Sequence, residues 1–225
     1  MIKLAPEGYP FFFGSLLITV IVLVLFFIKR ESGTHDLTFY LLLLASWFSY
    51  VMTYFMAFFF RDPERIIPRG EGIFVSPADG KVIQIKDTFE QDYLKAPSKE
   101  VSIFMSLFDV HVNRVPEDGM VSVIKHSPGK FMVAHKDDAS AKNENIVMIL
   151  EGGYGRILVR QVAGFLARRI VCKVKVGDTL RRGERFGMIK FGSRLDVYLP
   201  QDSTVRVTLG QKVKAGETTL ATLNR

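Results

Sequence analysis

Two long stretches without a charged residue dominate the first sixty positions. Pro10 to Ile28 reads Pro-Phe-Phe-Phe-Gly-Ser-Leu-Leu-Ile-Thr-Val-Ile-Val-Leu-Val-Leu-Phe-Phe-Ile, and Leu37 to Phe60 is a second such run. About 20 apolar residues cross the roughly 30 Å hydrocarbon core of a bilayer as a helix. Neither run has the polar stripe of a helix packed on a soluble core. The pattern predicts two membrane helices, over 10–28 and 37–60, joined as a hairpin by Lys29–Asp36. A cleavable signal peptide fits the first run poorly. Its leading segment pairs Lys3 with Glu7, and no small-residue cleavage site precedes Lys29.

The pattern changes after Arg61. Residues 61–71 are rich in proline and charge and read as a linker. Short β-type runs follow, separated by turn residues: Gly72–Ser76, Lys81–Ile85, Val101–Met105, Met120–Ile124, Ile146–Leu150, Arg156–Arg160, Arg194–Leu199 and Thr204–Leu209. This spacing predicts an all-β sandwich or barrel over 72–225. Only Gln161 to Arg169 leaves room for a helical turn. Val174-Lys-Val-Gly-Asp-Thr-Leu180 echoes Val213-Lys-Ala-Gly-Glu-Thr-Thr-Leu220, and each reads as a glycine turn between strands. Repeated hairpins of this kind resemble the barrel-sandwich of lipoyl and biotinyl carrier domains. There a modified lysine sits at a hairpin apex; here Gly192-Ser193 takes that place. The expected fold is therefore mainly β, a barrel-sandwich domain behind a two-helix membrane anchor.

Charge narrows the partners. The net charge is +7, and residues 1–60 hold three basic and three acidic residues, so the excess lies in 61–225. Such a domain attracts nucleic acid or an anionic membrane. The pairs Arg168-Arg169 and Arg181-Arg182 lack neighbouring aromatics for base stacking, so no nucleic-acid partner is expected. Lys3, Arg61, Arg65 and Arg69 outweigh Lys29 and Arg30 across the hairpin, which predicts a cytoplasmic domain at the cell membrane. Cys172 is the single cysteine, so no intramolecular disulfide forms; its apolar-basic surroundings read as a buried strand position.

Candidate chemistry centres on Phe191-Gly-Ser-Arg194. In a strained Gly-Ser turn the serine hydroxyl attacks the preceding carbonyl and the amide rearranges to an ester. Elimination and hydrolysis then leave a pyruvoyl group and ammonia. Glycine at position 192 opens the carbonyl to attack because it has no Cβ. A pyruvoyl carbonyl condenses with a substrate amine to a Schiff base and is an electron sink for α-decarboxylation, the role pyridoxal plays elsewhere. No P-loop, dinucleotide fingerprint or pyridoxal-lysine motif is evident, and no metal-site spacing. Asp79, in Ser-Pro-Ala-Asp-Gly80, reads by itself as an Asx-turn residue. His111 lies in Asp109-Val-His-Val-Asn-Arg-Val-Pro116. As a strand, this segment projects Asp109, His111 and Asn113 from one face: either an exposed edge or a site with a general base.

In these motifs the chain resembles the phosphatidylserine decarboxylases in their short bacterial and archaeal form, over almost its whole length. Phe58-Phe-Phe-Arg-Asp-Pro-Glu-Arg65, Val75-Ser-Pro-Ala-Asp-Gly-Lys81, Phe104 to Pro116, Gln161 to Arg169 and Phe191-Gly-Ser-Arg-Leu-Asp196 carry the resemblance in order and spacing. It implies a proenzyme cut between Gly192 and Ser193 into a β chain, 1–192, and an α chain, 193–225, with the pyruvoyl group made from Ser193. It implies that Asp79 orients a histidine base for self-cleavage, and that phosphatidylserine in the membrane is converted to phosphatidylethanolamine and CO2. Longer members carry His-x-x-His before the proline, whereas this chain has His111 and then Arg114. His111 then serves both steps, or His126 or His135 substitutes, and Arg114 becomes a candidate for a substrate carboxylate or phosphate. Archaetidylserine has the same headgroup and stays open as the substrate. From another class, a non-catalytic membrane adaptor would use the same hairpins with Gly192-Ser193 an ordinary turn. Homo-oligomerisation is left open.

Overall fold

The computed structural model describes residues 3–129, 143–164, 170–190 and 193–223. It separates into two compact units, Met1–Pro63 and Glu64–Arg225.

The first unit is the predicted hairpin. Helix α1 spans Tyr9–Glu31 and α2 spans Leu37–Phe59. Asp36 caps α2, its Oδ1 accepting from the Phe39 N–H at 3.1 Å. Between the helices the few polar side chains face inward: Thr19 and Thr53, both buried, share a hydrogen bond at 2.9 Å. Small hydroxyl residues at such a seam let backbones approach and satisfy each other away from water. The outer surface is apolar: Ile28 and Trp47 are each 64% exposed, among many others. Both helices are long and apolar enough to cross a membrane.

The second unit is mainly β, as the alternating runs require. An eight-stranded antiparallel sheet has the order β13-β2-β3-β11-β7-β6-β5-β9. Its long strands are β2 (Gly80–Glu90), β3 (Ala96–Met105), β5 (Gly119–Ser127), β6 (Asn145–Gly152), β7 (Gly155–Ala163) and β11 (Ser193–Pro200). The short β9 (Thr179–Leu180) and β13 (Lys212–Val213) complete its edges. Two three-stranded sheets accompany it. One joins β1 (Ile73–Val75), β14 (Thr219–Thr222) and β12 (Thr204–Val205); the other joins β4 (Val112–Arg114), β10 (Arg185–Ile189) and β8 (Ile170–Cys172). One apolar core takes residues from all three sheets, among them Phe74, Ile103, Met148, Val159, Phe186, Leu195 and Leu220.

The structure changes several local expectations. The Thr204–Leu209 run is a strand only over Thr204–Val205; a turn at 208–211 follows. Gln161 to Ala163 continue β7 as strand, and 165–169 lie outside the described residues. The strand expected to carry Asp109, His111 and Asn113 on one face starts only at Val112, and Asp109 sits in a turn where its Oδ2 accepts from the Ser106 N–H and Oγ. His111 is fully buried, which removes the exposed-edge reading.

The repeat is deeper than the sequence suggested. In 175–178, 181–184 and 208–211 the first residue's N–H donates to the fourth side chain, and the fourth N–H returns to the first carbonyl. A fourth turn, 214–217, has the same backbone closure. The third residue of each is glycine, with φ of 94°, 78°, 85° and 76° at Gly177, Gly183, Gly210 and Gly216. Left-handed φ at this position explains why glycine recurs there.

Candidate functional site

Ser193 is the first residue of β11, between Met105 at the end of β3 and Ala163 at the end of β7. Alternation along β11 puts Ser193 on the same face as Leu195, Val197 and Leu199, which point into the core. Its side chain is fully buried, and its Oγ has no hydrogen-bond partner among the described residues. A buried hydroxyl without a partner is unfavourable and unusual in a folded protein, so this one calls for an explanation. Phe191 and Gly192, the other half of the expected cleavage point, lie outside the described residues.

Asp79 reaches the same end of the sheet from the other side. It precedes Gly80, the first residue of β2, and β2 neighbours β3, which neighbours β11. Two strand spacings amount to about 10 Å along the sheet. Gly80 has φ 154°, and a Cβ there would lie 2.2 Å from the Phe104 carbonyl oxygen, so only glycine lets this turn lie against β3.

The Asp79 carboxylate is held firmly. Arg65 Nη2 donates to both oxygens at 2.9 Å, and the Ala215 N–H donates to Oδ1 at 2.8 Å. The resemblance implied that Asp79 orients a histidine; its hydrogen-bond partners among the described residues are Arg65 and Ala215. Burial pushes the Asp79 pKa above the ordinary carboxylate value, the Ala215 N–H and Arg65 oppose that rise, and the Asp109 charge adds to it.

The segment 111–114 ties the two regions together. The His111 carbonyl accepts from the Ile189 N–H at 3.3 Å, near the end of β10, the strand that leads toward Ser193. At the other end the Arg114 N–H donates to the Pro77 carbonyl at 2.9 Å, in the loop that carries Asp79. Asn113 Nδ2 lies 3.8 Å from Met105 Sδ, and Gln161 Nε2 donates to Asn113 Oδ1 at 2.9 Å. Met105 is the cross-strand partner of Ser193, and Gln161 that of Leu195, so the Asn113–Gln161 amide pair lies over the start of β11.

The remaining candidates lie elsewhere. Arg114 projects from the side of β4 opposite Asn113, is buried, and donates through Nη1 to the Gly183 carbonyl at 3.0 Å. His126, on β5, has a half-exposed side chain with Nε2 2.9 Å from Glu144 Oε1. Three strand spacings, about 15 Å, separate β5 from β11. His135 lies outside the described residues. No cluster of three or more potential metal ligands occurs among the described residues. Burial raises the Cys172 pKa, with the Val174 N–H opposing, so the thiol stays protonated at neutral pH.

The phosphatidylserine decarboxylase family pattern matches residues 52–221, which include Asp79, the 111–114 segment and Ser193. The chain is 45% identical over 223 residues to a phosphatidylserine decarboxylase proenzyme of Syntrophus aciditrophicus (strain SB), covering 97% of each. Proteins of the same name in Geobacter metallireducens and Geotalea uraniireducens are each 45% identical over 221 residues, covering 98% of this chain and 96% of each relative. The chain belongs to the phosphatidylserine decarboxylase family.

Three groups at the candidate site of this phosphatidylserine decarboxylase family member escaped the sequence reading. Arg65 read as linker charge, although its side chain is only 6% exposed. Gln161 read as the possible start of a helical turn. Its place opposite an inward-facing strand residue was the signal, visible only once the register is known. Arg194 read as part of a motif, yet its guanidinium is buried on the face of β11 opposite Ser193.

Proposed function

We propose that the chain cuts itself between Gly192 and Ser193, and that the pyruvoyl group made from Ser193 serves to decarboxylate phosphatidylserine to phosphatidylethanolamine and CO2. The observation that carries this reading is the buried Ser193 Oγ at the start of β11, which has no hydrogen-bond partner among the described residues. A hydroxyl held without a partner beside a glycine carbonyl is ready to be a nucleophile. The names of the relatives, proenzymes acting on phosphatidylserine, support the same reading.

The chemistry then divides among the chain's own residues. A base takes the Ser193 Oγ proton while Oγ bonds to the Gly192 carbonyl carbon. The Gly192–Ser193 C–N bond breaks, giving an ester and a free amine at residue 193. Loss of the residue 193 Cα proton expels the Gly192 carboxylate and leaves dehydroalanine. Water then replaces nitrogen at that carbon, and ammonia departs. His111 is assigned as the base, because it is the buried histidine on the segment joining the Asp79 loop to β10. Asp79 supports that step by its negative charge near the reacting end of the sheet. The pyruvoyl carbonyl, once made, supplies the electron sink for loss of CO2. His111 can then return a proton to the substrate carbon.

The fold suits a cut chain. β11 lies between β3 and β7, with Leu195, Val197 and Leu199 fully buried, so an α chain of 193–225 stays bound to a β chain of 1–192 without a covalent link. The two apolar helices bring the domain to the bilayer that holds a two-chain lipid, with the catalytic domain on the cytoplasmic side. Intact mass of the purified protein tests the reading: two fragments meeting at residue 193 are expected, and a fully active, uncut chain would overturn it.

A further inference from the structure

Arg194 is among the largest fully buried side chains of the protein, at 2% exposure. Its Nε donates to Asp196 Oδ1 at 2.6 Å. Its Nη2 donates to Ser102 Oγ at 2.8 Å, Gln84 Oε1 at 2.9 Å and Glu100 Oε1 at 3.4 Å. Glu100 Oε2 also receives Lys86 Nζ at 3.2 Å. Asp196 and Glu100 are 0% and 3% exposed. The guanidinium thus reaches from β11 across β3 to β2, on the face of the sheet opposite the Ser193 hydroxyl.

We infer that Arg194 is the positioning residue that holds residue 193 in place once the chain has been cut. The inference rests on the self-cleavage proposed above. Before the cut, residue 193 is held by the chain running back to β10. Afterwards it is a chain end, and ends of strands fray. Conversion to pyruvoyl also removes the backbone nitrogen of residue 193, so the ladder loses that N–H donor. The next residue is then the first that can hold the reactive end.

Three of the four Arg194 partners, Gln84, Ser102 and Glu100, belong to the 1–192 fragment; only Asp196 travels with the arginine. Withdrawing the guanidinium would take a charged donor from two buried carboxylates, which the interior resists, although Glu100 keeps Lys86 and the Ser102 hydroxyl. A planar fork with several donors satisfies these acceptors together, whereas a lysine ammonium cannot match the geometry. The network therefore staples the second residue of the new chain to two strands of the other chain. The pyruvoyl group is thereby held on the core face of β11.

The test compares cut and uncut protein. Arg194→Lys is made in the wild-type chain and in the uncut Ser193→Ala chain, and amide hydrogen exchange is followed over residues 194–196. In cut protein, exchange should rise and CO2 release per pyruvoyl should fall, each by about tenfold, the loss of one charge-assisted hydrogen bond. In the uncut background, where residue 193 is still tied to the preceding chain, exchange over 194–196 should rise clearly less than in cut protein. Ser102→Ala removes one acceptor and no charge, and should give the same contrast, smaller, if Arg194→Lys folds poorly. Equal loosening in both backgrounds makes Arg194 a general clamp and overturns the inference. So does unchanged turnover in cut protein, or failure of Arg194→Lys to be cut. A wild-type chain that is active but uncut by mass overturns the proposed function itself, and the inference with it.

Discussion

Arg65 and Asp79 form a two-oxygen ion pair: one guanidinium nitrogen, Nη2, lies 2.9 Å from each carboxylate oxygen, with both side chains largely buried. Arg65 Nη1 also lies 3.6 Å from Glu217 Oε2, and the Ala215 N–H completes the carboxylate's partners. Asp79 thus joins the start of the β domain, the entry to β2 and a turn near the C-terminus. In the proposed scheme those last two belong to different product chains. The aspartate is therefore both a charge near the reacting end of the sheet and a tie across the cut.

This pair has a pH signature. In the proposed scheme the ionised carboxylate is the working form, and burial raises its pKa above the ordinary value, against the pull of Ala215 and Arg65. Self-cleavage should fail as pH falls through a value above the usual aspartate range. Arg65→Met removes an opposing positive charge and should move that limb to still higher pH. Cleaved fraction against pH, by mass on freshly made chains, is the measurement. A limb that stays in place in Arg65→Met would separate Asp79 from the processing step.

Ser193→Ala should give one chain of 225 residues, folded and without activity. The wild type should give two fragments, the smaller blocked to Edman sequencing. The removed hydroxyl has no hydrogen-bond partner among the described residues, so the substitution breaks none there and is expected to leave the fold intact. Mass and circular dichroism of both proteins check this; a cut Ser193→Ala chain refutes the assignment.

The histidines should divide sharply. Asp79→Ala should mainly block cleavage. His111→Ala should lower CO2 release per pyruvoyl by roughly 10²–10⁴-fold, the range of one general acid or base, even where some cleavage survives. His126→Ala should change either step by no more than about twofold, because its ring sits at the surface against Glu144. If His111→Ala cleaves and turns over normally, the residue is structural.

The hairpin predicts a topology that labelling can read. In a Cys172→Ala background, Gly33→Cys lies in the link between the helices and Lys212→Cys at an edge strand of the β domain. A membrane-impermeant thiol reagent applied to intact cells should reach position 33 and not 212. Label at 212 alone would reverse the orientation.

Local pattern carried much of this protein. An uncharged run long enough to span a bilayer is a helix for reasons contained in the run, and both helices stand within a few residues of their expected ends. Alternation located most long strands, although β2 and β3 extend well past the expected segments because their outer halves pair with each other. The glycine turns were half legible: Val-Lys-x-Gly marked two. The four share glycine at the third position and a polar fourth residue, a rule about backbone closure and not about the residues around it.

The sequence by itself determined the membrane-length hairpin and the β character of the rest, because each depends on neighbours along the chain; it also singled out Gly192-Ser193 as the candidate for the proposed chemistry. Tertiary structure alone decided the partners. Asp79 meets Ala215 across 136 positions, and Arg194 meets Gln84 across 110. Strand register decides such contacts, and a shift of one residue would turn Ser193 out of the core and Arg194 into it. Alternation can say that Ser193 and Arg194 face opposite ways. Only the assembled sheet places one hydroxyl in the interior without a partner among the described residues and surrounds the neighbouring guanidinium with acceptors, since both environments are built from strands distant in sequence.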